Sequence, residues 1–194
     1  INRFSDSHFK ESVKLIEDTN WGNNDVYFIT TGTCDEKSYY DEIIRPIQIV
    51  YDAMTRKKKI HLLTHPPKDM ALLQELKNSG VTTISFNLEV YNRNRFDTIC
   101  GGKSSYYGYD KWIDALFQAR DIWGEYKVFC GLIWGLESTD DTISGNHFFA
   151  QNGISVTSNI FHADPKSILH NYPHPTSNEI KVIARDLSEL YRTY

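Results

Sequence analysis

The sequence predicts an α/β fold, a partial TIM-type (β/α) barrel of parallel strands with about five βα units preceded by one helix. Short apolar runs alternate with longer amphipathic segments, which is the order of βαβ units in a parallel sheet. The apolar runs are continuous rather than alternating, as strands covered on both faces require. With 194 residues and 40% hydrophobic content, residues 1–194 are predicted to form a single domain around one core.

The individual elements are predicted from apolar periodicity and from the turn residues between the periodic segments. In order they are helix 5–18, strand 25–31, helix 38–56, strand 59–64, helix 68–78, strand 81–88, helix 107–123, strand 126–134, helix 138–151, strand 154–161 and helix 176–191. Residues 91–106 are predicted to be a loop. Pro46 is a misfit inside helix 38–56, where it is expected to kink the chain.

Composition limits the classes of function. A net charge of −4 and a pI of about 6.0 leave no basic footprint for nucleic acid. No apolar run reaches the ~20 residues that cross a bilayer, and no signal peptide is recognised, so we expect a cytoplasmic protein without a membrane partner. The three cysteines, Cys34, Cys100 and Cys130, fit neither a zinc spacing nor a disulfide framework. They predict a reducing environment and no metal ligands in this chain.

Polar residues gather at the predicted carboxyl ends of the strands. In parallel α/β folds, ligands bind at this edge of the sheet. A rim of hydroxyls, an amide, carboxylates and histidines therefore predicts a binding or catalytic face, although its composition does not fix the ligand. The residues of this rim are Thr30, Thr31, Gly32, Thr33, Thr64, His65, Asn87, Glu89, Gly135, Glu137, Phe161, His162 and Asp164.

The predicted fourth strand has an unusual end. From Gly131 it reads Gly-Leu-Ile-Trp-Gly-Leu-Glu, ending at Glu137. The two glycines leave one edge of the strand without side chains, so a flat ligand can approach the backbone there. Ile133, between the glycines, would provide an apolar shelf. Alternatively, the glycines mark tight packing of a helix on the strand.

Several of these features resemble radical S-adenosylmethionine (SAM) enzymes, most closely the branch that contains biotin synthase. The resemblance rests on Asn87-Leu88-Glu89, then Lys103, an amphipathic helix and the strand Gly131–Glu137, in that order, and it extends from about residue 25 to residue 191. It implies that Asn87 and Glu89 contact the SAM ribose and neighbouring groups. It also implies that Lys103 holds the SAM carboxylate, a group that suits a point positive charge.

The resemblance extends to the adenine and amino group of SAM. It places Ile133 against the adenine, and residues 30–33, Thr-Thr-Gly-Thr, stand where the family has the Gly-Gly-Glu that binds the amino group. Arg93 and Arg95 are alternative partners for the carboxylate, and His65 is a candidate substrate contact. The residues predicted to bind the cofactor are Thr31, Gly32, Thr33, Asn87, Glu89, Lys103, Ile133, Gly135, Glu137 and His162.

The cysteine motif of the family, Cys-x-x-x-Cys-x-x-Cys, is absent from the sequence. In the family, three thiolates hold a [4Fe-4S] cluster that reduces SAM, and the resulting 5′-deoxyadenosyl radical abstracts a hydrogen from the substrate. The family core has one strand more than the five predicted here. We therefore expect an N-terminal truncation, with the missing strand and the cluster ligands upstream of Ile1 and an open barrel seam beside the first strand.

The resemblance implies a radical SAM enzyme that acts with both cofactors on an unknown small molecule or peptide, reduced by ferredoxin or flavodoxin. This chain alone is expected to be inactive. Two alternatives stay open: a non-catalytic SAM- or nucleotide-binding relative or subunit, and an unrelated barrel enzyme in which Glu89, His65 and His162 act as acid–base groups. Single residues also have structural alternatives. Asn87 could close a turn, and Glu137 could favour the dipole at a helix N-terminus.

Overall fold

The structure, a computed structural model, describes residues 4–19, 25–32, 34 and 36–194. Its centre is one sheet of five parallel strands in the order β1-β2-β3-β4-β5, which confirms the predicted α/β class. Each strand lies beside its predecessor in the chain, as in a barrel wall. The strands are β1 Val26–Thr30, β2 Lys59–Leu63, β3 Thr83–Ser85, β4 Val128–Trp134 and β5 Ser155–Ile160.

Helices precede β1 and connect or follow the strands in the predicted order. A 3-10 turn at Glu36–Ser38 and a π-helical turn at Tyr40–Ile44 lead into the second α-helix. The α-helices are α1 Asp6–Glu17, α2 Arg45–Ala53, α3 Leu72–Asn78, α4 Arg93–Ile99, α5 Gly101–Tyr106, α6 Tyr109–Trp123, α7 Thr139–Gln151 and α8 Ser177–Thr193. Within the described ranges, no helix combines the length and hydropathy needed to span a membrane.

One local prediction is wrong. The predicted loop 91–106 contains α4 and α5, and α4 begins where the Asn92 side chain accepts the Arg95 backbone N–H. Helical backbone continues from the π-helical turn into α2, since Ile44 and Arg45 both have right-handed helical dihedral angles. The π-helical turn ends at Ile44, just before the Arg45-Pro46 step, so the helix departs from regular α geometry next to the proline that was expected to disturb it.

The core lies between the sheet and the helices. Alternate residues of β2 and β4 are fully buried on that side, including Ile60, Leu62 and Leu132. The intervening residues point to the opposite face of the sheet, where Phe28 is 63% exposed. This second face is the interior side of the partial barrel.

The edge of β1 is open in the described part of the chain. A groove of ≈ 1130 Å³ runs beside β1 and is bordered by α1 and by the start of α2. Helix α1 is tied to α2 rather than to β1, through the Arg45–Asp6 ion pair and a hydrogen bond from the Thr55 hydroxyl to Glu17. The expectation of an open seam beside the first strand agrees with this arrangement.

Candidate functional site

A cavity of ≈ 450 Å³ opens at the carboxyl ends of β1, β2 and β3, beneath α5. It brings together six of the residues singled out from the sequence as cofactor or substrate contacts. These are Thr31, Gly32, His65, Asn87, Glu89 and Lys103. The other lining residues are Leu63, Thr64, Gly102, Tyr106, Tyr107 and Trp112.

Glu89 and Lys103 form an ion pair in the cavity wall. The Lys103 Nζ donates to Glu89 Oε1 and to the backbone carbonyl of Asn87, both at 2.8 Å. The ammonium also lies 4.8 Å from the ring centroid of Trp112, a cation–π contact. With side-chain exposures of 30% for Lys103 and 24% for Glu89, the pair is only partly screened by water.

The backbone at Glu89 has a conformation that is unusual for a residue with a side chain. Its φ is +74°, in the left-handed region that favours glycine. Two hydrogen bonds to β4 hold it there: the Glu89 N–H donates to the Gly131 carbonyl at 2.9 Å, and the Ile133 N–H donates to the Glu89 carbonyl at 2.8 Å. A residue with a side chain in this conformation is less stable than glycine by about 1 kcal/mol or more, and backbone strain of this kind concentrates at functional sites.

Asn87 joins β3 to β4 through its side chain. Its Oδ1 accepts the Ser85 hydroxyl at 2.8 Å and the Gly131 backbone N–H at 3.0 Å. A Cβ on Gly131 would lie 2.6 Å from Asn87 Cγ, so only glycine leaves room for this amide. Asn87 therefore braces two strands rather than closing a local turn, and its Nδ2 is the side-chain atom left to contact a ligand.

His65 forms part of the opposite wall and is almost fully buried. Its Nε2 accepts the Cys34 backbone N–H at 3.3 Å, while its Nδ1 lies 3.0 Å from the Pro66 carbonyl and contacts the Tyr107 hydroxyl. Because Nε2 accepts a backbone N–H, this pattern assigns the ring proton to Nδ1. The histidine is thus a packed wall residue whose orientation is fixed by the protein.

Glu137 lies away from the cavity. Its carboxylate accepts the backbone N–H groups of Tyr91 at 3.1 Å and Asn92 at 2.7 Å, and the Thr142 hydroxyl lies 3.5 Å away. Burial raises the pKa of Glu137, while these amide hydrogen bonds act in the opposite direction. The carboxylate therefore fixes the chain that leads from Glu89 into α4.

The glycines of β4 accommodate side chains of the protein itself. Gly131 receives the amide of Asn87, as described above, and a Cβ on Gly135 would lie 2.7 Å from Pro175 Cδ. Gly135 also has a φ of +99°, which a side chain would strain. The glycines therefore mark tight packing, the alternative given above, but their partners are the side chains of Asn87 and Pro175 rather than a helix. Half-buried Ile133 lies between these two glycines.

The other predicted contacts are distributed differently. His162 is exposed after the end of β5 and does not line the cavity, and Thr33 lies outside the described residues. Of the three cations proposed for a carboxylate, only Lys103 lines the cavity. Arg93 pairs with Asp110, and Arg95 donates to the Leu136 carbonyl at 3.1 Å.

The aromatic part of the site was not predicted from the sequence. Tyr106 and Tyr107 line the cavity with Trp112, although none of the three is among the residues that the sequence identifies as ligand contacts. Lys68 Nζ lies 3.4 Å from the Tyr106 ring centroid. The signal available in the sequence was the tyrosine pair two residues after Gly101-Gly102-Lys103, but the short helix α5 leaves no clear periodicity.

The described residues contain no cluster of three or more His, Cys, Asp or Glu side chains arranged to hold a metal ion. Burial raises the pKa of Cys100 to about 11 and that of Cys130 to about 12. Neither cysteine belongs to such a cluster, whereas a [4Fe-4S] cluster needs several thiolates within reach of one another. This donor set does not fit a [4Fe-4S] cluster.

Two solved structures share this fold. HydG, a maturase of the [FeFe]-hydrogenase, superposes with a TM-score of 0.71 at 18% identity, over 96% of this chain and 42% of HydG. A radical SAM methyltransferase from Sphaerobacter thermophilus superposes with a TM-score of 0.59 at 14% identity, over 84% of this chain and 48% of the methyltransferase. At these identities, the likeness establishes the architecture.

One curated protein with a similar sequence is the bacteriochlorophyllide c C-7(1)-hydroxylase of Chlorobaculum limnaeum. It is 22% identical over 193 residues, which cover 95% of this chain and 47% of the hydroxylase. The chain thus spans about half the length of the relatives it matches. No protein-family model matches the chain.

Proposed function

We propose that this chain is the SAM-binding core of a radical SAM enzyme of the biotin synthase-like branch. In the complete enzyme, a [4Fe-4S] cluster and a donor such as ferredoxin or flavodoxin would supply the electron that releases a 5′-deoxyadenosyl radical from SAM, and the radical would abstract a hydrogen from the substrate. The observation that carries the proposal is the meeting of Asn87, Glu89 and Lys103 in one cavity, within a radical SAM fold.

The cavity fits the chemistry of SAM. Its volume of ≈ 450 Å³ lies within the range of about 300–1,000 Å³ for small-molecule sites. SAM carries a carboxylate, an ammonium, a ribose with two hydroxyls and a flat base. The site offers a cation at Lys103, a carboxylate at Glu89 and aromatic rings at Tyr106, Tyr107 and Trp112, so each class of group has a matching partner.

The chain's own residues bind and orient the cofactor. The bonds to β4 fix the backbone of Glu89, and Glu137 holds the segment that follows it. The wall of His65 and Tyr107 is almost fully buried, and hydrogen bonds to Cys34 and Pro66 orient the His65 ring. Both features prearrange the site before the ligand arrives, which reduces the ordering penalty of binding.

The cluster ligands lie outside the described residues in this proposal. The buried thiols of Cys100 and Cys130 do not qualify, and we propose that residues preceding this sequence supply the cysteines on a strand beside β1. The open edge of β1 and the groove next to it support a strand at that position.

The test is anaerobic reconstitution of a protein extended upstream by about fifty residues, the span of one further βα unit and its loop. We expect about four irons per chain and, with reductant, conversion of SAM to methionine and 5′-deoxyadenosine. The 194-residue chain, as the matched control, is expected to bind SAM without cleaving it. If the extended protein takes up no iron and does not cleave SAM, the proposal is refuted.

A second candidate function is a SAM- or nucleotide-binding subunit without catalysis. The lack of a thiolate set among the described residues favours it. The same experiment separates the two, since such a subunit would bind SAM and take up no iron. An acid–base role for Glu89, His65 and His162 gains no support, because His162 is exposed outside the cavity.

A further inference from the structure

The interior face of the sheet carries three aromatic rings in contact with one another. Phe28 of β1 stacks on His61 of β2, with ring centroids 4.8 Å apart and ring planes inclined by 16°. The ring of Phe129, from β4, meets His61 edge-on at a centroid distance of 5.0 Å. Because Phe28 is 63% exposed, this aromatic row, Phe28–His61–Phe129, presents an open flat surface to the interior of the partial barrel.

His61 supplies the polar atom of the aromatic row. Its Nδ1 lies 2.9 Å from the hydroxyl of Thr83 on β3, and this contact orients the ring. Burial lowers the pKa of His61, so the imidazole is neutral at neutral pH. With Nδ1 engaged, Nε2 is the nitrogen left to exchange a hydrogen bond with a ligand. The row therefore combines flat apolar surface with one directed hydrogen-bonding group.

The surroundings of the row carry little charge. Among the described strand residues on this face of the sheet, Lys59 has the one formal charge, and it lies exposed at the amino-terminal end of β2. The remaining side chains are apolar or carry a hydroxyl, an amide or the neutral imidazole of His61. A carboxylate or phosphate resting on the row would lose water without gaining a charged partner there, whereas an uncharged ligand avoids this penalty.

The aromatic row lies next to the cavity along the strands. Leu63 lines the cavity and follows His61 by two residues, so both side chains leave β2 on the same face. Two residues of a strand span about 6.6 Å, so a ligand on the row reaches the cavity when it is about 7 Å long or more, roughly the length of two fused rings. The distance between row and cavity thus sets a minimum size for such a ligand.

We propose that the substrate of this enzyme is an uncharged, planar aromatic molecule of two or more fused rings, which stacks on the aromatic row and hydrogen-bonds to His61 Nε2. The inference rests on the proposed function, because the cavity in which SAM is proposed to bind lies at the Leu63 end of the row. Aromatic rings prefer offset-stacked or edge-to-face partners, and Phe28 offers an exposed ring for the first. A peptide would find few partners for its backbone amides on this surface.

The test uses 2-naphthol, an uncharged planar bicycle with one hydroxyl, as the probe. It is titrated into the 194-residue chain labelled with 13C at the histidine Cε1 positions, and His61→Leu assigns the His61 resonance by its loss. A fragment of this size is expected to bind with a Kd of about 1 mM, which the shift of that resonance can follow. The saturated analogue decahydro-2-naphthol should bind about threefold more weakly or worse, and the 2-naphthoate anion about tenfold more weakly.

Phe28→Leu removes the stacked ring from an exposed position, so the fold should be retained. We expect it to weaken 2-naphthol binding about 2- to 10-fold. Tyr194→Leu, at an exposed aromatic residue that ends the chain after α8, is the matched control and should leave the Kd unchanged. An unshifted His61 resonance, an unchanged Kd in Phe28→Leu, or equal binding of 2-naphthol and 2-naphthoate would overturn the inference, while SAM binding in the cavity would stand.

The same titration of the protein extended upstream by about fifty residues tests whether additional chain covers the row. Retained 2-naphthol binding supports the inference, and its loss would overturn it, because the protein would then fill this face with its own residues. Binding of radiolabelled SAM is measured on the same samples. If SAM does not bind while 2-naphthol does, the proposed function falls, and with it the assignment of the aromatic ligand as substrate.

Discussion

Gly131→Ala should destabilise the protein through the Asn87 brace between β3 and β4. The new Cβ would lie 2.6 Å from Asn87 Cγ and 2.7 Å from Oδ1, closer than carbon atoms approach without displacement. Asn87 can escape only by rotating, which breaks the hydrogen bonds from Ser85 and from the Gly131 N–H. Losing two hydrogen bonds of about 1 kcal/mol each, with residual strain, predicts a loss of about 2–3 kcal/mol in unfolding free energy.

The assay is urea unfolding followed by circular dichroism, with thermal melting as a check. A loss of this size corresponds to about 5–10 °C in Tm for a domain of this length. Gly101→Ala is the matched control, because its Cβ would meet no atom within 4 Å, and it should be neutral or slightly stabilising.

A double-variant cycle tests the cause of the Gly131→Ala effect. In an Asn87→Ala background, Gly131→Ala should add less than about 1 kcal/mol, because the clashing amide has been removed. The reasoning fails if Gly131→Ala leaves unfolding unchanged in the wild-type background. It also fails if the substitution is equally damaging in both backgrounds, because the clash would then not involve Asn87.

Three further predictions concern other parts of the site. Gly135→Ala should lower Tm, because the new Cβ would lie 2.7 Å from Pro175 Cδ and the backbone φ of +99° strains a residue with a side chain. Adding Pro175→Ala should restore part of the lost Tm, and an unchanged Tm in Gly135→Ala would contradict this packing. Burial raises the pKa of the Glu137 carboxyl above its ordinary 4.5, so the protonated form is favoured in the folded protein, and stability falls as pH rises from about 4.5 through the raised pKa. Urea unfolding of Glu137→Gln at a series of pH values should lack this fall, and a pH profile identical to that of the wild type would contradict the prediction. Cys100, with its pKa raised to about 11, should react with a disulfide reagent at pH 8 about 100-fold more slowly than in urea, as followed by mass spectrometry; equal rates would refute its burial.

The sheet and the meeting of the strand ends were accessible from the sequence because they depend on local patterns. Continuous apolar runs identify parallel strands, and parallel strands bring their carboxyl ends to one edge. The meeting of Asn87, Glu89 and His65 in one cavity could therefore be predicted without information on any long-range contact. The exceptions are α4 and α5, whose short polar sequence lacks the periodicity of a helix.

The assignment of the β4 glycines depended on what fills the space beside them, and the sequence does not show that. An open strand edge suits a flat ligand or a side chain of the same protein equally well. Asn87 and Pro175 occupy the two positions, and both lie some forty residues away in the chain. The carboxylate of Glu137 is a similar case, since its partners are backbone amides after Glu89.

The most direct test of the account is whether SAM binds the cavity of this chain. Equilibrium dialysis of radiolabelled SAM against the 194-residue chain should show saturable binding that S-adenosylhomocysteine displaces. Lys103→Met should weaken that binding about tenfold or more, because Lys103 is the only cation among the described lining residues. Non-saturable binding, or binding that Lys103→Met leaves unchanged, would contradict the claim that this cavity holds the cofactor.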